Sequence, residues 1–198
     1  MEMPTYMNII RDPFERMVSF YYFRRFQAKL IEPLPDVDKN RSFDTCVLEN
    51  YPECTEPYGD THGFGYFQLI PFFCGHAAFC RKPTLNALET AIANVERYYS
   101  IIGVVEQFDQ FLEALEVVFP DYFRGVTHIY KTAGKYKRKV NASIHKVKPT
   151  AKVRQIMREK LYLEYKFYYF VKWRFDKLYR EIVSNRSTDV PSSDTYFN

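Results

Sequence analysis

No stretch of this sequence approaches the ~18 uninterrupted apolar residues of a membrane span, and its N-terminus lacks the basic-then-apolar run of a secretory signal. As given, the chain reads as soluble. Its four cysteines contain no Cys-x-x-Cys pair, which removes the short spacing of zinc and thioredoxin-type sites. No internal repeat is visible. The composition is not that of a disordered polymer either, because 198 residues with 46% hydrophobic content can bury a core. The simplest division is one domain over residues 1–183 and a polar, disordered tail over 184–198.

What the chain does have is charge asymmetry. Residues 1–130 carry 11 Lys/Arg against 18 Asp/Glu, whereas residues 131–180 carry 16 against 3, a net of −7 followed by +13. A basic segment this dense attracts polyanions: nucleic acid, acidic membrane or sulfated polysaccharide. Part of the excess is the solvated outer face of a helix.

The run Asn8-Ile9-Ile10-Arg11-Asp12-Pro13-Phe14-Glu15-Arg16-Met17-Val18-Ser19 carries the clearest chemical signal. Tyr6 to Ile10 reads as a buried strand that turns straight into a helix reaching about Phe26. Asp12 suits the N-cap and Pro13 the first helical position. Glu15, three residues after the cap, completes a capping box. Free amide hydrogens and the positive dipole end at such a terminus accept an anion, and Arg11 beside them can grip a phosphate with two parallel hydrogen bonds. Ser19 lies two turns along on the Asp12 face, within reach of the same anion. An isolated Arg-Asp-Pro would be an ordinary turn, but the spacing to Ser19 argues for phosphate.

The remaining pattern predicts residues 27–42 as an exposed excursion and a short helix over Phe43–Asn50. Tyr51–Gly65 reads as a loop and Phe67–Phe73 as a short strand. Thr84 caps a helix to about Tyr99, with Leu85, Leu88, Ile92 and Val95 on one face. Ser100–Val105 is a second buried strand. Phe108, Phe111, Leu112, Leu115 and Val118 stripe another helix, which Pro120 closes. Residues 124–148 are basic and irregular, and a long helix runs from about Thr150 to Val183. Its stripe of Ile156, Leu161, Tyr165, Tyr168, Phe175 and Leu178 reads as core packing. Strand, turn and helix in this order imply βα units on a parallel sheet.

The strand and helix around Arg11 and Ser19 resemble the 3′-phosphate-binding element of sulfotransferases that use 3′-phosphoadenosine 5′-phosphosulfate. Phe20-Tyr21-Tyr22-Phe23-Arg24-Arg25-Phe26 resembles the uronosyl 2-O-sulfotransferases. So do Cys46-Val47-Leu48-Glu49-Asn50-Tyr51-Pro52-Glu53-Cys54, Ile70-Pro71-Phe72-Phe73-Cys74-Gly75, Gly103-Val104, and Phe123-Arg124-Gly125-Val126 with Tyr130-Lys131. The Leu-Glu-Asn-Tyr-Pro-Glu-Cys stretch is most similar to the uronyl 2-sulfotransferase branch, which acts on dermatan and chondroitin sulfate, rather than to the heparan sulfate branch.

The resemblance implies a P-loop-NTPase-like sulfotransferase fold, a parallel sheet with flanking helices, incomplete at the N-terminus. It implies transfer of a sulfuryl group from 3′-phosphoadenosine 5′-phosphosulfate to the 2-hydroxyl of hexuronic acid, without a metal. Arg11 and Ser19 would bind the donor's 3′-phosphate, Tyr130, Ser143 and Lys146 its adenosine side, and Tyr22 and Arg25 the acceptor. The family's Pro-Lys-Thr-Gly-Ser-Thr type loop and its histidine base fall before Arg11, and none of His62, His76, His128 or His145 matches that base. The expectation is therefore a C-terminal two-thirds that is inactive alone, the alternative being an inactive paralogue that binds sulfated polysaccharide. The partner is a glycosaminoglycan chain rather than nucleic acid, with homo-oligomers expected by analogy to the heparan branch.

Four cysteines allow three pairings, and the resemblance implies the local one, Cys46 with Cys54 and Cys74 with Cys80. Paired cysteines and the acceptor triplets at Asn40, Asn141 and Asn185 point to a glycosylated, disulfide-bonded protein of the Golgi lumen. In full-length form such a protein would be a type II membrane protein whose anchor is not in this sequence.

Overall fold

Two parallel strands, β1 (Tyr6–Ile10) and β2 (Tyr99–Val104), lie side by side, with Ile9 opposite Gly103 and Ile10 opposite Val104. The structure, a computed structural model, describes residues 4–26, 40–56, 68–137 and 146–188, except the side chains of 133–137 and 185–188. The connection between the strands holds α1 (Pro13–Phe26), α2 (Phe43–Leu48), α3 (Pro52–Thr55), α4 (Leu69–Cys74), a 3₁₀ turn at Ala78–Arg81, and α5 (Leu85–Tyr98). After β2 come a 3₁₀ turn at Val105–Gln107, α6 (Phe108–Val118), α7 (Pro120–Phe123), α8 (Val126–Lys137), α9 (Ala151–Lys160) and α10 (Tyr162–Thr188). This is the α/β arrangement of parallel strands and flanking helices that the strand–helix order predicts.

The side-chain period of two along β2 divides the interior. Ile102 and Val104 join Ile10, Phe14, Val18 and Phe43 in the larger core, while Ile101 packs with Phe111, Leu112, Leu115 and Phe175 in the smaller one. Helix α10 serves both, giving Tyr165, Phe167, Tyr168 and Val171 to the first core and Phe175 and Ile182 to the second. The stripe read as core packing is therefore core. At Gly103 a β-carbon would stand 2.2 Å from Cδ2 of the Phe111 ring, so only glycine lets α6 approach this closely. Both local disulfides are present, Cys46–Cys54 and Cys74–Cys80.

Several elements differ from the sequence expectation. The candidate strand at Phe67–Phe73 is helical from Leu69 to Cys74. Its first amides, of Leu69 and Ile70, donate to the buried Glu164 carboxylate at 2.6 and 3.0 Å, and Pro71 sits in a first turn that needs no amide hydrogen. That capping group lies 94 residues away and leaves no local trace. The basic stretch taken as irregular contains α8. The long helix bends at Leu161, which leaves helical geometry although Leu161 N–H still reaches Met157 O at 2.8 Å and Tyr165 N–H reaches Leu161 O at 2.9 Å. It then extends to Thr188, into the tail expected to be disordered. Residues 27–39, 57–67 and 189–198, which held the excursion, most of the loop and the rest of the tail, lie outside the described residues.

Replacing Gly103 with Ala should destabilise the fold by about 1–3 kcal/mol through overpacking against Phe111, read from urea denaturation. An unchanged midpoint would mean that α6 moves aside freely.

Burial pushes the Glu164 carboxyl up to about 7, against the pull of the two amides and the Arg16 charge. A carboxyl raised in the folded state contributes stability that is complete below its unfolded pKa and is lost as pH rises through about 7. Melting temperature should therefore fall between pH 5 and pH 8. Glu164→Gln should flatten that fall while costing about 1–3 kcal/mol at every pH through one unpaired amide; an unaltered pH slope would contradict the assignment.

Candidate functional site

The carboxyl ends of two parallel strands open onto the same region, and here that places the Arg11–Asp12 turn beside Glu106. Asp12 caps α1: its carboxylate accepts Glu15 N–H at 2.9 Å and its carbonyl accepts Arg16 N–H at 2.9 Å. The reciprocal half of the expected capping box is not made by Glu15. Glu106 accepts Asp12 N–H at 2.9 Å instead, and this frees the Glu15 carboxylate to turn outward.

Helix α10 fixes this junction from above. Tyr165 Oη donates to the two Asp12 carboxylate oxygens at 3.1 and 3.2 Å, and Tyr168 Oη donates to Glu106 at 3.1 Å. Burial, then the Asp12 charge, push the Tyr165 phenol up to about 12, and burial with Glu106 raises Tyr168 further. Both stay protonated donors across the physiological range.

Turned outward, Glu15 gathers cations from three segments. Arg154 of α9 lies 2.9 Å from its carboxylate, Lys146 3.5 Å and Arg11 3.8 Å. Burial raises the Glu15 carboxyl, but the Arg154 hydrogen bond and the charges of Lys146, Arg154 and Arg11 together hold it below the usual range. Every side chain in this cluster keeps 28–34% of its surface exposed, so each pair contributes only ~0–1 kcal/mol to stability. The arrangement matters more as field than as glue. Three cations thus stand around one outward-facing carboxylate beside a helix N-terminus, on the helical face that also carries Ser19, while the Asp12 and Glu106 carboxylates are tied up in the junction beneath. Arg154 is held in place by the buried Phe14 ring, 4.5 Å from its guanidinium carbon.

Arg11 and Lys146 thus meet at Glu15, while Ser19 lies one turn further along α1. Tyr130 lies on α8 against Phe108, with ring centroids 5.0 Å apart, and lines a groove with Glu106, Gln107 and Asp109. Glu106 links that groove to the Asp12 cap. Ser143 lies outside the described residues. Tyr22 and Arg25, expected to face an acceptor, are turned inward: Tyr22 Oη accepts Phe43 N–H at 3.3 Å, and Arg25 stacks on Tyr21 and pairs with Glu53. An aromatic ring and a guanidinium already desolvated against α2 and α3 serve packing in this arrangement.

His76 is exposed within the Cys74–Cys80 loop, and His128 is exposed on α8. Asn40 is exposed in a turn, Asn141 lies outside the described residues, and Asn185 falls near the end of α10. Among the described residues no three His, Cys, Asp or Glu side chains gather to hold a metal ion, and no helix is long and apolar enough to cross a membrane. Sequence reasoning missed Glu106, Arg154, Tyr165 and Tyr168. Only the parallel register, which sets the residue after Ile10 beside those after Val104, could have indicated Glu106.

The profile of the family described as "Sulfotransferase family" matches residues 3–171. A uronyl 2-sulfotransferase of Homo sapiens is 37% identical over 99% of the chain and 49% of its own length, and one of Mus musculus is 35% identical with the same coverage. A heparan sulfate 2-O-sulfotransferase 1 of Mus musculus is 34% identical over 94% of the chain and 51% of its own length. The chain spans about half the length of the curated relatives it matches.

Asp12→Ala should cost about 1–2 kcal/mol of stability through the lost cap, and Asp12→Asn, which keeps a capping oxygen, only a few tenths. Equal losses in chemical denaturation would show that the Tyr165 contact, not the cap, holds the junction.

Proposed function

The chain belongs to the sulfotransferase family, and on that footing we propose that it forms part of a glycosaminoglycan 2-O-sulfotransferase with a P-loop-NTPase-like architecture. The donor is 3′-phosphoadenosine 5′-phosphosulfate, which supplies the sulfuryl group, and the acceptor is the 2-hydroxyl of hexuronic acid. Dermatan or chondroitin sulfate is favoured over heparan sulfate as acceptor, since the match to the uronyl relatives extends over more of the chain, 99% against 94%.

The observation that carries this reading is the convergence of Arg11, Lys146 and Arg154 on the capped start of α1. The donor set fits a phosphate: a guanidinium able to bind two oxygens in parallel, an ammonium and a second guanidinium beside a helix N-terminus, with the Ser19 hydroxyl on the same helical face. In this reading Arg11 and Ser19 hold the 3′-phosphate, and Glu15 keeps Arg11 and Lys146 poised until the anion arrives. Tyr130 flanks the adenosine side together with Ser143 and Lys146. The junction's own fixings, Asp12, Glu106, Tyr165 and Tyr168, are positioning groups that touch no substrate. This chain's residues supply binding and orientation, which are the larger demands of sulfuryl as of phosphoryl transfer. Tyr22 and Arg25 would act on the acceptor side by shaping the wall around α1.

The disulfides and acceptor triplets support a lumenal, secretory-pathway setting, which we take to be the Golgi. The net charge of +13 over residues 131–180 favours, as a second reading, a chain that binds sulfated polysaccharide without transferring sulfate.

Calorimetric titration with adenosine 3′,5′-bisphosphate tests the reading. Binding should weaken at least about tenfold in Arg11→Ala, a loss of about 1.4 kcal/mol, and less in Ser19→Ala. Unchanged affinity in Arg11→Ala would refute the phosphate role and leave the second reading.

A further inference from the structure

One face of α10 is built unlike the rest of the surface. Tyr162, Lys166, Tyr169 and Trp173 follow at spacings of four, three and four, so they align on a single side of the helix over about 16 Å. The opposite side carries the buried Phe167, Val171 and Phe175. On the exposed side, however, Tyr162, Tyr169 and Trp173 keep 56, 54 and 57% of their surface open to solvent. Three large aromatics left half bare in one row are an interaction surface rather than scattered exposure. A cation is set into the row: Lys166 Nζ lies 4.6 Å from the centre of the Tyr162 ring. At its N-terminal end the row meets a groove on α9, since Tyr162 also lines that groove with Arg154, Arg158 and Glu159.

We propose that this row is an accessory binding surface for an acidic polysaccharide chain, separate from the nucleotide site. Its identification of the ligand rests on the glycosaminoglycan reading above. The chemistry is specific. A pyranose ring shows a C–H face whose partial positive charge suits the negative face of an aromatic ring, while its carboxylate and sulfate groups point sideways to cations. Aromatic rings alternating with Lys166 and followed by Arg158 meet both demands along one line. A second copy of the chain fits less well, because a two-fold contact through this face would set Lys166 near its own equivalent. Single-stranded nucleic acid shares the stacking and charge requirements, but the two disulfides argue for an oxidising compartment in which nucleic acid is not the partner.

The sequence contains one tryptophan among 17 tyrosines, so emission excited at the red edge, where tyrosine does not absorb, reports on Trp173 alone. Titration with dermatan sulfate should shift that emission saturably, and adenosine 3′,5′-bisphosphate should leave it unchanged. Tyr169→Leu and Trp173→Leu, which keep apolar bulk but lose the aromatic face, should each weaken retention on immobilised dermatan sulfate about fivefold. Nucleotide affinity and melting temperature should be unaltered in Trp173→Leu, whereas Tyr169→Leu also loses ring contacts to Tyr165 and Tyr168 and serves only to confirm the direction of the retention change. Polysaccharide binding without a change in Trp173 emission would overturn the proposal, as would full retention of the two leucine variants. Emission that varies with protein concentration alone would assign the face to self-association. Tighter binding of single-stranded DNA than of dermatan sulfate at equal charge would assign it to nucleic acid. A chain that fails to bind nucleotide yet shows the Trp173 response would sink the nucleotide reading and uphold this surface.

Discussion

The parallel pairing of β1 with β2 is the constraint from which the site is built. It sets Ile10 beside Val104, so the residues that leave each strand, Arg11 and Asp12 from one and Glu106 from the other, meet at a single point. The hydrogen bond from Asp12 N–H to Glu106 then decides the rest. With the N-cap amide already paired, Glu15 need not fold back to close the capping box, and its carboxylate is free to collect Arg11, Lys146 and Arg154. Arginine and lysine side chains from segments 135 and more residues apart from Arg11 are thereby brought to one side of one helix start. The stability gained from these part-exposed pairs is small, and what they create is a group of three cations held in place at one helix N-terminus.

Helix α10 holds that geometry at a distance. Through Tyr165 and Tyr168 it clamps the two acidic groups of the junction, and through Glu164 it caps α4, so successive residues of one turn reach three separate parts of the fold. Its inner face therefore stabilises and orients, while its outer face is left aromatic and basic. The division follows the helical period: positions toward the sheet are filled with groups that must be satisfied when buried, and positions away from it are free to meet a ligand.

How much of this can be read in the sequence depends on how local the cause is. The strand into Arg11, the Asp12 cap, the Thr84-capped helix and the apolar second strand are each specified within a few residues, and the structure contains them. The helix at Leu69 has no local signal, because its capping group, Glu164, is far away in the chain. Arg154 was lost in a basic run whose period says only that a helix is solvated, and its meaning comes from Phe14 beneath it and Glu15 beside it. Tyr22 and Arg25 show the opposite failure. Their position three and six residues beyond Ser19 suggested an outward role, yet α2 and α3 pack over that side of α1, an arrangement fixed by the Cys46–Cys54 loop rather than by the helix itself.

The account stands on an anion seated at the turn from β1 into α1. A crystal structure of the chain with bound adenosine 3′,5′-bisphosphate tests it most directly. The account predicts the ribose 3′-phosphate within hydrogen-bonding distance of the Arg11 guanidinium and the Ser19 hydroxyl, with Arg11 drawn away from Glu15. A phosphate lodged instead on the α9 groove, with the Arg11–Glu15 pair intact, would contradict it.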